Sequence, residues 1–288
     1  MQTQPEVYER IYGSRERVPG YQRYRRLRAG ALAASRPLEW LAAQEDVYWA
    51  VAKELARCAH PGANVLEVGS GLGYLTHALR KAGYQAEGID LSEAAVSEAT
   101  RTFGPHFQAS TMDRVGMHSS RYSCVVALEL LEHVEDPSSF IAKALQLLMP
   151  GGSLIVTTPN KDIYPTHWAW HTDPAPVHLW WFSKSSLRRM AWANDATVTF
   201  TDLSGFYGAY KPKPLFKATK PATFGPDGEL VFKDGLVNTV ARAVMARWPS
   251  SNRWIGRIFL ARLGRARSSL ELGRHGLSHC AVFRKADH

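Results

Sequence analysis

Cysteine and long apolar runs are what the chain has least of. Its 288 residues hold three cysteines, Cys58, Cys124 and Cys280, far apart and with no CxxC pair. That spacing argues against a disulfide framework and against a zinc knuckle. No stretch reaches the roughly 18 apolar residues that a membrane-spanning helix needs. The opening MQTQPEVYER has no basic segment followed by an apolar one, so no signal peptide is expected and a reducing cytoplasm fits best. No internal repeat is visible. Acidic residues are the scarcer charge, 26 against 35 basic, and the deficit is local. Residues 205–288 carry 15 basic and 5 acidic side chains, whereas residues 61–204 carry 10 and 14. For the last segment alone, this implies either an anionic partner, substrate or membrane surface, or a solvated basic face.

What is present is an alternation. RYRRLR is followed by a helical pattern from Pro37 to Ala59, with Leu38, Leu41, Val47, Val51 and Leu55 on one face, ended by Pro61-Gly62. From Asn64 strands and helices take turns. NVLEV reads as a strand and YLTHALRKAG as a helix closed by Gly83. QAEGID is a strand and SEAAVSEATRTF a helix N-capped by Ser92. HFQAS is a short strand and YSCVVAL a buried one. A helix from Pro137 to Met149 ends at PGG, and SLIVTTP is a strand. A helix over Lys184 to Ala193, a strand over Ala196 to Leu203 and a closing strand SHCAVFRK follow. Continuous apolar strands alternating with helices predict a doubly wound, mainly parallel α/β sheet covered on both faces. Four regions are expected: N-terminal helices over 1–60, a core over 61–204, a basic helical insertion over 205–275, and the last core strand over 276–288. The insertion opens with the turn-rich KPKPLFKATKPATFGPDG. It continues with two arginine-rich amphipathic helices, one with Leu236, Val240, Val244 and Trp248 on a face, the other with Ile255, Ile258, Phe259 and Leu263. Such stripes suit a lid or a homodimer element, and an anionic membrane or RNA would also complement their charge.

The first strand runs into VLEVGSGLG, where Gly69, Gly71 and Gly73 allow a tight turn and a close approach of backbone to ligand. Asp90, ending the second strand, is placed to accept hydrogen bonds from ribose hydroxyls. A dinucleotide and an adenosyl ligand both fit these features. After the fourth strand comes ELLEH, with Glu129, Glu132 and His133 at i, i+3 and i+4. On one helical turn they would share a face. Three readings stand open: His133 as a base oriented by Glu132, a cluster holding a metal, or carboxylates stabilising a helix N-terminus.

VLEVGSGLG, LLEHVEDP and PGGSLIVTTPN together resemble the motifs of the class I S-adenosylmethionine-dependent methyltransferases, a Rossmann-like seven-stranded fold. The likeness covers about residues 60–204 and the final strand. It implies that Glu67 helps hold the methionyl ammonium and that Gly69, Ser70, Gly71 and Gly73 line the methionine and ribose. Asp90 would take the ribose hydroxyls, Thr111 and Met112 the adenine, with Leu128 also at the cofactor. Ser123 departs from the family, which commonly has aspartate at the start of the fourth strand. ExxEH in this place is similar to the ubiquinone-biosynthesis O-methyltransferases, which act on catechols. It is also similar to the small-RNA 2′-O-methyltransferases, which add a histidine past the fifth strand. Carried over, Glu129, Glu132, His133 and His178 would bind a divalent cation (Mn, Fe, Co, Zn or Mg).

The segment from Tyr164 to Phe182 is rich in tryptophan (Trp168, Trp170, Trp180, Trp181) and in histidine, with His167 and His171 as further candidate bases or ligands. It suits an apolar lid over an acceptor, with Trp181 anchoring it on the core. The expected function is O-methylation of a small molecule, a sugar or natural-product scaffold. RNA 2′-O-methylation, or cofactor binding without catalysis, is the alternative.

Overall fold

The computed structural model describes residues 21–115, 121–164, 168–170, 177–210, 219–224, 230–232 and 276–285. Three helices come first: α1 (Tyr21–Ala33), α2 (Pro37–Gln44) and α3 (Asp46–Cys58). The core then runs β1 (Asn64–Val68), α4 (Tyr74–Lys81), β2 (Gln85–Asp90), α5 (Glu93–Phe103), β3 (Phe107–Ala109), α6 (Met112–Val115) and β4 (Tyr122–Leu128). It continues through a 3₁₀ turn (Leu131–His133), α7 (Pro137–Gln146), β5 (Leu148–Pro159) and a second 3₁₀ turn (Lys161–Ile163). Beyond these lie β6 (Trp168–Trp170), α8 (Lys184–Ala193), β7 (Ala196–Phe200), α9 (Ser204–Tyr210), β8 (Thr219–Phe224), β9 (Leu230–Phe232) and β10 (Ser278–Lys285).

Seven strands form one sheet in the order β3-β2-β1-β4-β5-β10-β7. The first five are parallel, and β10 pairs antiparallel with both β5 and β7. Alternate residues of the central strands feed two cores. Leu66, Val125, Leu154 and Phe283 face α7 and α8, where Phe140, Ile141, Leu145 and Leu187 pack. Val65, Val126, Ile155 and Val282 face α1 to α4, meeting Leu27, Leu41, Val51, Leu55 and Leu79. Each such side chain, fully buried, contributes about 1.5–3 kcal/mol. The predicted doubly wound, mainly parallel sheet is therefore the observed one. Among the described residues no helix is long and apolar enough to cross a membrane.

Strand order reverses at β1. Its successor β2 lies on one side and β4 on the other, so the carboxyl ends of β1 and β4 border the crevice where ligands of such sheets bind. The glycine turn leaves β1 at that crevice, and the ELLEH segment leaves β4 there.

Several predicted boundaries move. The single helix over Pro37 to Ala59 is two, broken at Glu45, whose backbone is extended (φ −148°, ψ 148°). The junction is held from outside: Arg23 forks onto the Glu45 carboxylate and Tyr207 donates to Asp46 at 2.6 Å. The helix expected to reach Met149 stops at Gln146, and PGG lies inside β5 instead of ending a helix. The ladder shifts register there, between Tyr122 and Cys124, which accommodates Gly151 at φ +76°. The strand expected to reach Leu203 ends at Phe200. Part of the stretch expected to be turn-rich is strand: β8 joins β6 and β9 in a small antiparallel sheet. The two amphipathic helices expected within 205–275, and His167 and His171, lie outside the described residues.

Candidate active site

The glycine turn is tight because its neighbours leave no alternative. Gly69, Gly71 and Gly73 all have positive φ (77°, 49° and 76°). A Cβ on Gly73 would stand 2.6 Å from the Phe107 ring and 2.8 Å from the Ala99 Cβ, so both conformation and packing demand glycine. The turn is stitched to β2, with Gly69 and Ser70 both donating to the Ile89 carbonyl (2.8 and 3.0 Å). Asp90 completes it. One carboxylate oxygen accepts from the Gly71 N–H at 2.8 Å and the other from the Ser92 N–H at 2.9 Å. The acid at the end of β2 thus shapes the turn as well as facing the crevice.

Glu67, at the end of β1, is buried and accepts a hydrogen bond from the Thr76 hydroxyl. Burial pushes its pKa up to about 8, against the Thr76 hydrogen bonds, and nearby Asp90 adds to the rise. The folded carboxyl titrates near 8 and the unfolded one near 4.5. In that window the folded state binds the extra proton, so its contribution to stability is full below about pH 4.5 and is lost as pH rises towards 8. In the ligand-free protein, Glu67→Gln should flatten this decline, which denaturant titrations across pH 5 to 8 would detect.

Thr111 and Met112 follow β3 as expected, Thr111 exposed and Met112 buried against the core at the start of α6. Leu128 is half-buried at the end of β4.

ELLEH is not one α-helical turn. Glu129 sits in the left-handed region at φ 45°, a conformation that is strained for a non-glycine residue. It is held there by its N–H, which donates to both the carbonyl and the hydroxyl of Thr157 on β5 (3.0 Å each). Helical geometry begins only at Leu131, as a 3₁₀ turn. The expected common face is therefore split. Glu132, His133 and His178 each offer a ligand atom within 4.8 Å of the others, and Glu129 stands outside that group. Its Oε1 is nonetheless buried with no hydrogen-bond partner.

The segment carrying His178 is sewn onto this turn. Leu179 and Trp180 donate backbone N–H groups to the Glu132 carbonyl (2.8 and 3.3 Å), and the Trp180 indole donates to the Val134 carbonyl (2.9 Å). His133 Nδ1 lies 2.6 Å from the Val177 carbonyl. A carbonyl only accepts, so Nδ1 carries the proton and Nε2 keeps its lone pair. That Nε2 is 3.9 Å from Glu132 Oε1, and the His133 and His178 rings are 4.7 Å apart between centroids. The second Glu132 oxygen accepts from the Thr158 hydroxyl at 2.9 Å. Two imidazoles and a carboxylate thus converge, His133 oriented by the Val177 carbonyl and Glu132 by the Thr158 hydroxyl.

Tyrosines that no motif announces stand near these carboxylates. Burial raises the pKa of Tyr24 on α1, and the charges of Glu129 and Glu132 add to the rise. Beside it Tyr48 and Tyr74 share a hydrogen bond at 2.8 Å. The Tyr207 hydroxyl, besides donating to Asp46, accepts from the Leu277 N–H at 3.0 Å. Four tyrosines from four separate segments have no spacing rule that joins them.

The crevice at the β1/β4 switch point, the glycine turn with Asp90 behind it, and the antiparallel β10 between β5 and β7 define the class I methyltransferase architecture. Residues 43–199, more than half of the chain, match the family described as a methyltransferase domain, and the protein belongs to that family, the class I S-adenosylmethionine-dependent methyltransferases. Over 107 residues it is 36% identical to a ubiquinone biosynthesis O-methyltransferase of Aromatoleum aromaticum, covering 35% of this chain and 46% of that protein. The same named enzyme of Methylococcus capsulatus is 37% identical over 108 residues, with 35% and 46% covered. The chain thus spans just under half the length of these relatives. In structure it is similar to an S-adenosylmethionine-dependent methyltransferase of Thermotoga maritima, with a TM-score of 0.51 at 14% identity, covering 98% of this chain and all of that one. That likeness concerns the fold.

Proposed function

We propose that the protein is an O-methyltransferase that moves the methyl group of S-adenosylmethionine to a hydroxyl of a small molecule, with help from a divalent cation. The observation that carries this reading is the convergence of Glu132, His133 and His178, whose ligand atoms lie within 4.8 Å of one another after β4 at the switch-point crevice. When bound, S-adenosylmethionine supplies a methyl already activated by the sulfonium charge. What remains for the protein is to align the acceptor oxygen and take its proton.

Gly69, Ser70, Gly71 and Gly73 would receive the methionine and ribose, with Asp90 accepting from the ribose hydroxyls. Glu67, held near neutrality, would meet the methionyl ammonium. Thr111, Met112 and Leu128 would complete the adenosyl site. The residues also fit a cation. Two imidazole nitrogens and a carboxylate are gathered, a partnerless buried carboxylate oxygen of Glu129 is close by, and His133 is braced through its other nitrogen as metal-binding imidazoles usually are. This donor set suits Mn, Fe, Co or Zn better than Mg. A cation held by Glu129, Glu132, His133 and His178 would lower the pKa of an acceptor hydroxyl. Without a cation, His133 Nε2, oriented with Glu132, would instead take the hydroxyl proton. Tyr24, Tyr48, Tyr74 and Tyr207, on α1, α3, α4 and α9, would exclude water from the reacting oxygen.

The test is to incubate the full chain with S-adenosylmethionine and separate panels of catechols, sugars and RNA, and to follow S-adenosylhomocysteine and product masses. O-methylated small molecules, with activity lost in strong chelator and restored by one metal, are expected. Undiminished turnover in chelator would remove the cation from the account. Methylation of RNA alone would replace the acceptor class, and no S-adenosylhomocysteine with any panel would overturn the reading.

A further inference from the structure

Two of the three cysteines, 66 positions apart in sequence, meet in the fold. Cys58 is the last residue of α3 and Cys124 the third of β4, and their sulfurs lie 2.9 Å apart. Cys124 is fully buried and Cys58 half-buried, so the pair reaches from the core to its edge. Next to it, Ser153 on β5 stands opposite Cys124 in the ladder, and Arg284 on β10 donates to the Ser153 hydroxyl at 3.0 Å. The third cysteine contrasts with these. Cys280 is buried on β10, and burial pushes its thiol up to about 12.

We propose that Cys58 and Cys124 form a redox modification site, a dithiol that an oxidant closes into a disulfide, pinning the C-terminal end of α3 to the fourth strand. Cys58 is the residue that reacts first. It is the more exposed of the two, and the hydrogen bond from Cys124, together with the Arg284 charge, holds its thiol below the usual range. With hydrogen peroxide as oxidant, the Cys58 thiolate attacks one peroxide oxygen, the O–O bond breaks, and hydroxide leaves a sulfenic acid behind. The Cys124 sulfur then attacks the Cys58 sulfur, the S–O bond breaks, and a second hydroxide leaves. Each hydroxide takes one thiol proton. Two thiols and one peroxide thus become one disulfide and two waters, the sulfurs oxidised and the peroxide oxygens reduced.

The bond would close a loop holding β1, the glycine turn, α4, β2, α5, β3 and α6, restricting the unfolded chain more than the folded one. The experiment treats the full chain with excess hydrogen peroxide, alkylates remaining thiols in denaturant and maps peptides without reductant. Expected are a Cys58–Cys124 cross-linked peptide pair, one remaining alkylated thiol at Cys280, and a melting temperature raised by about 5 °C and restored by dithiothreitol. Cys58→Ser should abolish both the cross-link and the shift. Three alkylated thiols after treatment, sulfinic acid at Cys58 without a cross-link, a bridge to Cys280 or to a second chain, or a cross-link that leaves melting unchanged would each overturn the proposal.

Discussion

Replacing His133 with alanine should lower kcat for hydroxyl methylation by about 10²–10⁴-fold, while cofactor affinity changes by less than about twofold. The separation follows from where the side chain sits. His133 belongs to the turn after β4 and is braced through Nδ1 on Val177, with Nε2 directed at Glu132 and the His178 ring beside it. It takes no part in the glycine turn. Alanine removes a proton acceptor and a metal ligand together, so the variant tests the site rather than choosing between the two roles. That choice belongs to chelation and metal add-back on the unaltered protein. The structural cost should be small. One carbonyl, that of Val177, loses a partner at about 1 kcal/mol, which a melting curve will separate from the kinetic loss. Steady-state kinetics on an acceptor found in the panel above, with cofactor binding measured in parallel, provides the check.

Replacing Asp90 with alanine should weaken binding of S-adenosylmethionine by about 100-fold or more. The carboxylate has two duties. It accepts from the Gly71 and Ser92 N–H groups and so holds the turn against β2. On the proposed reading the carboxylate also takes the ribose hydroxyls. Hydrogen bonds to a charged acceptor contribute about 1.5–3 kcal/mol each, and two of them correspond to the stated loss. Asp90→Asn, which keeps one carbonyl acceptor, should fall between alanine and the wild type. Equilibrium binding on all three proteins measures the series. Equal affinities would show that Asp90 only shapes the turn.

The core of the fold was legible because its physics is local. Continuous apolar strands such as CVVAL, the glycines of the turn after β1, and a cap such as Ser92, which accepts from Ala95, declare themselves within a few residues. Glu45 did not, because the helix break there depends on Arg23 and Tyr207, residues remote in sequence. ELLEH shows the same limit at the site. Its i, i+3, i+4 spacing describes a helix, whereas the Thr157 hydroxyl and carbonyl draw the Glu129 N–H into a left-handed bend and delay the turn by two residues. Resemblance alone puts His178 near the cluster, and the backbone bonds from Leu179 and Trp180 to Glu132 give the physical reason for that proximity. The four tyrosines and the Cys58–Cys124 pair carry no sequence signal, since only packing of α1, α3, α4, α9 and the sheet assembles them.

Equilibrium binding of S-adenosylmethionine and S-adenosylhomocysteine to the full chain tests the central claim most directly. The account predicts saturable binding of one ligand per chain for both, weakened in Asp90→Ala and preserved in His133→Ala. A well-folded protein that binds neither ligand at concentrations up to about 1 mM would contradict it.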